Sequence, residues 1–445
     1  MSIHPSLPTD PTASAAVTAP AAQVGREPLK PLDTALAELL AHAAVSWSSE
    51  SVSTFDADGR VLAEDVVSSL DVPAHDNSSM DGYAVRVADC SDASTMLSVG
   101  QRIPAGSNGQ ALTPMSVARI FTGAPIPPGA DAVVMQEDCV TSKSEADGLP
   151  IVSVQSPPKT GQWIRRRGED VKVGQTVLRR GDRLGPAGLG LAASIGYGHL
   201  QVARKVRVAL FSTGNELIMP DDVAPADMKP GSIYNSNRFF LRALLLRLGC
   251  VVSDLGIVPD RLDATIAALK AASHQHDVIL TSGGVSVGEE DHIKPAVQAL
   301  GELNLWQIAI KPGKPFAYGN VRREQTEGEG GKFAHFIGLP GNPVSSFVTF
   351  LLLVRPFILK LQGAKALAPQ SIALPAHFAW PKADKRREFL RVRQNVEGGL
   401  DLFDNQSSGV LTSAVWGDGL IDNPPGRAIA HGDMVKFIPL SALHV

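Results

Sequence analysis

At 445 residues the chain is too long for one ordinary core, since domains run about 100 to 200 residues, and three or four domains are expected. Hydrophobic residues at 44% and charged residues at 19% supply packed cores and exclude disorder over most of the length. Forty-one Lys and Arg against 45 Asp and Glu leave a formal net charge of −4, so no basic excess points to nucleic acid or an anionic membrane, and local clusters must carry any anion binding.

Residues 1–27 are led by a stretch rich in Ala, Pro, Ser and Thr without the basic region and apolar core of a secretory signal, and read as a disordered tail. Pro31 then opens a helix expected over 32–44, with Leu32, Leu36, Leu39 and Leu40 on one stripe. Residues 28–66 and 159–204 are read together as a helical, linking domain. Between them, 67–158 holds short β-like runs separated by Pro and Gly, an inserted β-rich domain. From Lys205 strands alternate with helices as in a parallel sheet: strands at 206–211, 251–258, 278–281, 306–310 and 336–337, helices at 237–248 and 263–272, and a buried helix at 344–361 kinked at Pro356. Residues 205–363 thus form an α/β domain, and 370–445 a small all-β, barrel-like one. The fold class is α/β with additional β-rich domains, a multidomain chain built round a central parallel-sheet domain.

The apolar stretch 347–354 is shorter than the roughly 20 residues a membrane helix needs, and Arg355 and Pro356 close it, so no span is expected. Cys90, Cys139 and Cys250 are odd in number and widely spaced, which argues against a disulfide framework or thiolate metal site and fits a reducing cytoplasm. The 11 histidines, His75 and His292 among them, show no metal spacing.

Ligands of open α/β sheets bind outside the carboxyl ends of the strands, so the chemistry is sought in the loops there. Ser212-Thr-Gly-Asn-Glu216 offers hydroxyls, a glycine turn and a carboxylate. In Ser282-Gly283-Gly284-Val-Ser286, paired glycines let amides converge on an anion while serines add donors, and Glu289, Glu290 and Asp291 follow, either as ligands to a cation or as a solvated acidic helix start. Lys311-Pro-Gly-Lys314-Pro puts two ammonium groups on a rigid backbone, and Gly338-Leu-Pro340-Gly-Asn-Pro343 turns its amides to a helix N-terminus. Outside this domain, the segment 76–84 presents Asp81 at a strand edge, Thr122-Gly-Ala-Pro is a turn, and Arg165-Arg-Arg-Gly-Glu-Asp170 is either a phosphate clamp or a self-paired ionic surface.

Taken in order, DNSSMDGYAV, TGAPIPPGADAVV, IRRRGED, FSTGNEL, TSGGVSVGEED, KPGKP and GLPGNPVS resemble the molybdopterin molybdenumtransferase family, MoeA in bacteria and the gephyrin E domain in animals. The resemblance covers roughly residues 32–440. It implies the last step of molybdenum cofactor synthesis: adenylylated molybdopterin is hydrolysed, molybdate enters the dithiolene and AMP leaves, with Mg²⁺ or another divalent cation assisting. It also implies cytoplasmic homodimers whose cleft lies between the α/β domain of one subunit and the β-rich domain of the other, with the molybdopterin adenylyltransferase and molybdoenzyme acceptors as further partners.

Carried over residue by residue, the catalytic set is Asp81 and Thr122, contributed in trans, with Glu216, Asp260, Asp291 and Lys311; Glu216 and Asp291 would ligate the metal. Ser282, Gly283, Gly284, Ser286, Lys314, Pro340, Pro343, Arg391 and Ser408 would bind substrate. The sequence departs from the family pattern at Gln307, often a lysine, at Asn215, commonly an aspartate, and in the tail before Pro28. Competing readings are a scaffold module, a use the gephyrin relative makes of the same domain, and a nucleotide-phosphate hydrolase of another pathway.

Overall fold

The strand Arg207–Thr213 is apolar from Val208 to Phe211, as burial on both faces demands. A computed structural model describes residues 28–44, 48–284, 292–323 and 332–444, so the tail, Ser286 and the acidic run ending at Asp291 lie outside the described residues. Arg207–Thr213 pairs in parallel with Val251–Val258 on one side and Val278–Ser282 on the other, and Phe333–Leu339 continues the parallel set. Strands Pro315–Arg322 and Gly301–Gln307 close the six-stranded sheet antiparallel, making it mixed rather than purely parallel. The reason is local: the chain from Gln307 to Pro315 is too short for a crossover helix, so it turns back on itself.

Successive side chains alternate between two cores. Val208, Leu210, Leu280 and Ile337 meet the helix Ser236–Arg247 and the run from Pro343 to Leu361. On the other face, Ala209, Phe211, Ile279 and Phe336 meet helices Leu262–Gln275 and Ile293–Leu300. The run 343–361 is long and apolar enough to cross a membrane, but 89% of its apolar window is buried inside the fold, which makes it a core helix. Its irregularity precedes Pro356: Phe350–Val354 is a π turn, and the Arg355 N–H reaches back to the Phe350 carbonyl. Pro356 lacks an N–H, so the turn before it rearranges its hydrogen bonds.

The helix Leu32–His42 packs Leu32, Ala35 and Leu39 into the first of these cores. Residues 48–75 and 159–204 form antiparallel ribbons, Ser49–Ser53 with His199–Ala203 and Val66–Val67 with Thr176–Leu178, around the helix Pro186–Ser194. Strands between residues 82 and 154 make a separate six-stranded sheet in which Gly82–Val85 lies between Ala132–Met135 and Ser116–Ile120. In the C-terminal sheet, Arg387–Gln394 pairs with Gly419–Asn423 and, in parallel, with Ile310–Lys311 from the central domain. That short pairing carries hydrogen bonding across the joint between the two domains.

Candidate functional site

The four parallel strands end at one edge of the central sheet. Ser212 is in register with Ser282, Thr213 with Val258, and Ser282 with Leu339. Adjacent strands lie about 4.8 Å apart, so the loops carrying Glu216, Asp260, Ser282 to Gly284 and Pro340 to Pro343 issue side by side. The antiparallel strand Pro315–Arg322 begins at the same edge, because Ala317 faces Gly338, and this brings Lys314 to it. Glu216 is exposed and folds over Gly214, where a Cβ would come within 2.6 Å of its Oε2. Asp260 is half-buried. Neither carboxylate has a basic partner, and the Lys314 ammonium has no partner, among the described residues.

The glycine loop differs from an open amide cradle. Gly283 adopts φ +93° and donates its N–H to the Leu339 carbonyl at 3.0 Å, so that amide is already used, while Gly284 follows at φ +67°. Ser282 is buried, and its hydroxyl accepts from the Asn237 amide at 2.7 Å. Gly313, at φ +104°, passes so close to the core helix that a Cβ would sit 2.3 Å from Thr349 Oγ1, which is why glycine separates the two lysine-bearing ends of that loop.

Lys311 turns toward the C-terminal domain. Its ammonium donates to Glu388 Oε1 at 3.1 Å and stands 3.4 Å from Asp384 Oδ2. Glu388 is 1% exposed and also accepts from Trp380 Nε1 at 2.9 Å, so Lys311 is the counter-charge that makes this burial tolerable. Arg391, 2% exposed, spends its guanidinium on Ser413 Oγ at 3.1 Å and on the carbonyls of Phe389 and Ser407 at 3.1 and 3.4 Å. Burial without a carboxylate pushes it down to about 10. The Ser408 carbonyl accepts from the Val344 N–H at 2.9 Å, satisfying an orphan donor at the start of the core helix and placing Ser408 beside the Pro340 to Pro343 loop.

Asp81 and Thr122 meet on the inserted sheet. Asp81 Oδ1 accepts from the Thr122 N–H at 2.8 Å and the Thr122 hydroxyl at 2.9 Å, and these bonds hold the exposed carboxyl below its ordinary range. Their partners lie within that sheet rather than at the central edge. Arg166 and Arg167 pair with Asp76 and Asp71 at 2.7 and 2.6 Å, so their ion pairs go to aspartates outside that run. A cavity of about 590 Å³ between the first helix and the C-terminal domain lies away from these loops, and its Arg387 is already paired with Asp33 and Asp422.

Three family models match successive stretches: "MoeA N-terminal region (domain I and II)" over residues 30–196, "Probable molybdopterin binding domain" over 209–360 and "MoeA C-terminal region (domain IV)" over 373–440. A molybdopterin molybdenumtransferase of Haemophilus influenzae is 42% identical over 362 residues, covering 81% of this chain and 85% of that protein. The chain belongs to the molybdopterin molybdenumtransferase family. Molybdopterin molybdenumtransferase 2 of Mycobacterium tuberculosis is 35% identical, with 83% and 89% of the two chains covered. Among solved structures, a molybdopterin biosynthesis moeA protein from Pyrococcus horikoshii OT3 superposes with a TM-score of 0.77 at 29% identity, covering 93% of this chain and all of that one.

Against the molybdenumtransferase motifs, the central edge gathers Glu216, Asp260, Ser282, Gly283, Gly284, Lys314, Pro340 and Pro343, with Ser408 adjoining. Asp81 and Thr122 lie elsewhere in the same chain, the partly exposed Lys311 is paired with Glu388, Arg391 is buried, and Ser286 and Asp291 fall outside the described residues. Sequence reasoning missed Asn237, Asp384 and Glu388. Asn235-Ser-Asn237 before an apolar helix reads as a cap, and capping accounts for Asn235, whose Oδ1 accepts from the Arg238 N–H at 3.3 Å, but not for Asn237.

Proposed function

We propose that the chain catalyses molybdenum insertion into adenylylated molybdopterin, hydrolysing it and releasing AMP, the last step of molybdenum cofactor synthesis. The observation that carries this reading is the convergence at one sheet edge of a buried serine with carboxylates and a lysine that have no partners among the described residues, in a chain of this family. Carboxylate oxygens are the donors a hard divalent cation takes, and Glu216 and Asp260 have no competing basic partner among the described residues. No group of three His, Cys, Asp or Glu stands together among the described residues, so Mg²⁺ held by Glu216 would draw further ligands from Asp291, water or substrate. When bound, the cation polarises a phosphoryl oxygen and activates water.

The protein's own groups position the anion. Lys314 balances phosphate charge, and Ser282 with the Pro340 to Pro343 loop fixes the substrate against the sheet edge. Arg391 serves through the Ser407 carbonyl it holds, next to Ser408, rather than by reaching the cleft. Asp81, oriented by its hydrogen bonds to Thr122, enters from a second copy of the chain, so the working unit is a cytoplasmic homodimer. Purified protein given adenylylated molybdopterin, molybdate and Mg²⁺ releases AMP, and Glu216→Gln or Lys314→Ala slows it. Absence of AMP release, or hydrolysis of ATP without any pterin, would overturn the reading.

A further inference from the structure

Asn237 occupies the first turn of the helix Ser236–Arg247 and is 7% exposed. One nitrogen, Nδ2, donates to Ser282 Oγ at 2.7 Å and to the Gly341 carbonyl at 2.8 Å. These acceptors lie on two loops that share no other side-chain bridge among the described residues. A carbonyl oxygen only accepts, so the group turned to Gly341 must be the amide nitrogen, and both of its protons are then committed. The Ser282 oxygen is therefore the acceptor in its bond with Asn237. Its own proton has no acceptor among the described residues. Ser212, in register with Ser282 on the neighbouring strand and on the same face, has a fully buried hydroxyl without a partner. Two hydroxyls thus stand beside each other at the strand ends with donor capacity unused, in surroundings where an unmet polar group is costly.

We propose that Asn237 is a positioning residue for the anionic substrate: it locks the Ser282 and Gly341 loops at one separation and, by donating to Ser282, obliges that hydroxyl to donate to an oxygen of the bound anion. The inference rests on the functional reading above and adds the polarity of the Ser282 bond and the residue that sets it. Asn237 itself stays behind the loops and touches no ligand.

The test measures AMP release from adenylylated molybdopterin for the wild type, Ser282→Ala, Asn237→Ala and the double variant, with thermal melts of each. Ser282→Ala raises KM about tenfold, as loss of a hydrogen bond to a charged group does. Asn237→Ala raises it at least as much, with the larger part of its loss in KM rather than kcat, and the double variant is no worse than Asn237→Ala alone. An unchanged KM in Ser282→Ala overturns the proposal. So does a lower melting temperature with unchanged KM in Asn237→Ala, or effects of the two substitutions that multiply. Should Asn237→Ala not fold, Asn237→Asp keeps the shape but opposes the Gly341 carbonyl with a second acceptor, and the same comparison applies. Wild-type turnover with indifferent variants rejects this inference alone, whereas no wild-type turnover rejects the functional reading and this inference with it.

Discussion

At the surface the Thr122 N–H and hydroxyl both donate to one oxygen of Asp81 and lower its pKa further, and the other oxygen has no hydrogen-bond partner among the described residues. Asp81→Asn removes the charge without disturbing packing, so AMP release falls by about tenfold to a hundredfold while the melting temperature stays within about 2 °C. A normal rate would detach Asp81 from the site. His335 illustrates the opposite environment. Burial drives it down to about 4 from an ordinary 6.5, and its Nδ1 shares a hydrogen bond with the Tyr318 hydroxyl at 3.0 Å. Between those two values the unfolded chain binds a proton that the native one refuses. Its contribution is therefore complete above pH 6.5 and is lost as pH falls toward 4, with a slope of at most about 1.4 kcal/mol per pH unit. Melting temperatures between pH 4 and 8 should show this loss, and His335→Gln should flatten it.

Among the elements, the Gly82–Val85 strand has little room for change. A Cβ on Gly82 would lie 1.9 Å from the Val134 carbonyl, inside the pairing that holds the inserted sheet together. Gly82→Ala therefore forces the strands apart and destabilises by about 1–3 kcal/mol, read as a lower denaturation midpoint, and activity falls with it because Asp81 is the adjoining residue. The core helix shows how an element and a site depend on each other. Its apolar positions bury it, while its first turn needs Ser408 from another domain to satisfy the Val344 N–H. Sequence periodicity made this helix legible from residue 344 onward, and the parallel strands around it as well, but it missed Pro315–Arg322 and put at 306–310 a strand that runs over Gly301–Gln307. It misplaced the irregularity, because a proline announces a missing N–H but not the neighbouring turn in which the hydrogen bonds rearrange.

For the whole molecule, the decisive relation is between the inserted sheet and the central sheet edge. If the cleft forms between subunits, Asp81→Asn and Lys314→Ala spoil different halves of it. Mixing the two inactive variants and allowing subunit exchange then restores about a quarter of wild-type activity, since half the dimers are mixed and each has one intact cleft. No recovery despite demonstrated exchange would place both halves in one chain. The joint with the C-terminal domain adds a second constraint at this scale. Lys311 and Glu388 are paired in the strands and in charge, so Glu388→Gln leaves the lysine with a weaker partner and loosens the two domains toward each other, by about 1–3 kcal/mol in a denaturation experiment.

What the sequence determined by itself is local in origin. Apolar runs, their alternation, and glycine and proline at fixed offsets specify the central strands, the helices between them and the loops where ligands bind, and seven ordered motifs carry the family. Tertiary structure alone decided which of those loop residues remain available. Lys311 and Lys314 look equivalent along the chain, yet one is paired with a carboxylate 77 residues away and the other has no partner among the described residues. Arg391, which the resemblance gives as a substrate ligand, is buried against two carbonyls and the Ser413 hydroxyl, while Asn237, the first residue of an expected helix, joins the Ser282 loop to the Gly341 loop, the latter 104 residues further along the chain from it. The physical reason is that a side chain's charge and hydrogen-bonding capacity belong to its type, whereas whether that capacity is already spent depends on partners that only folding brings within about 3 Å.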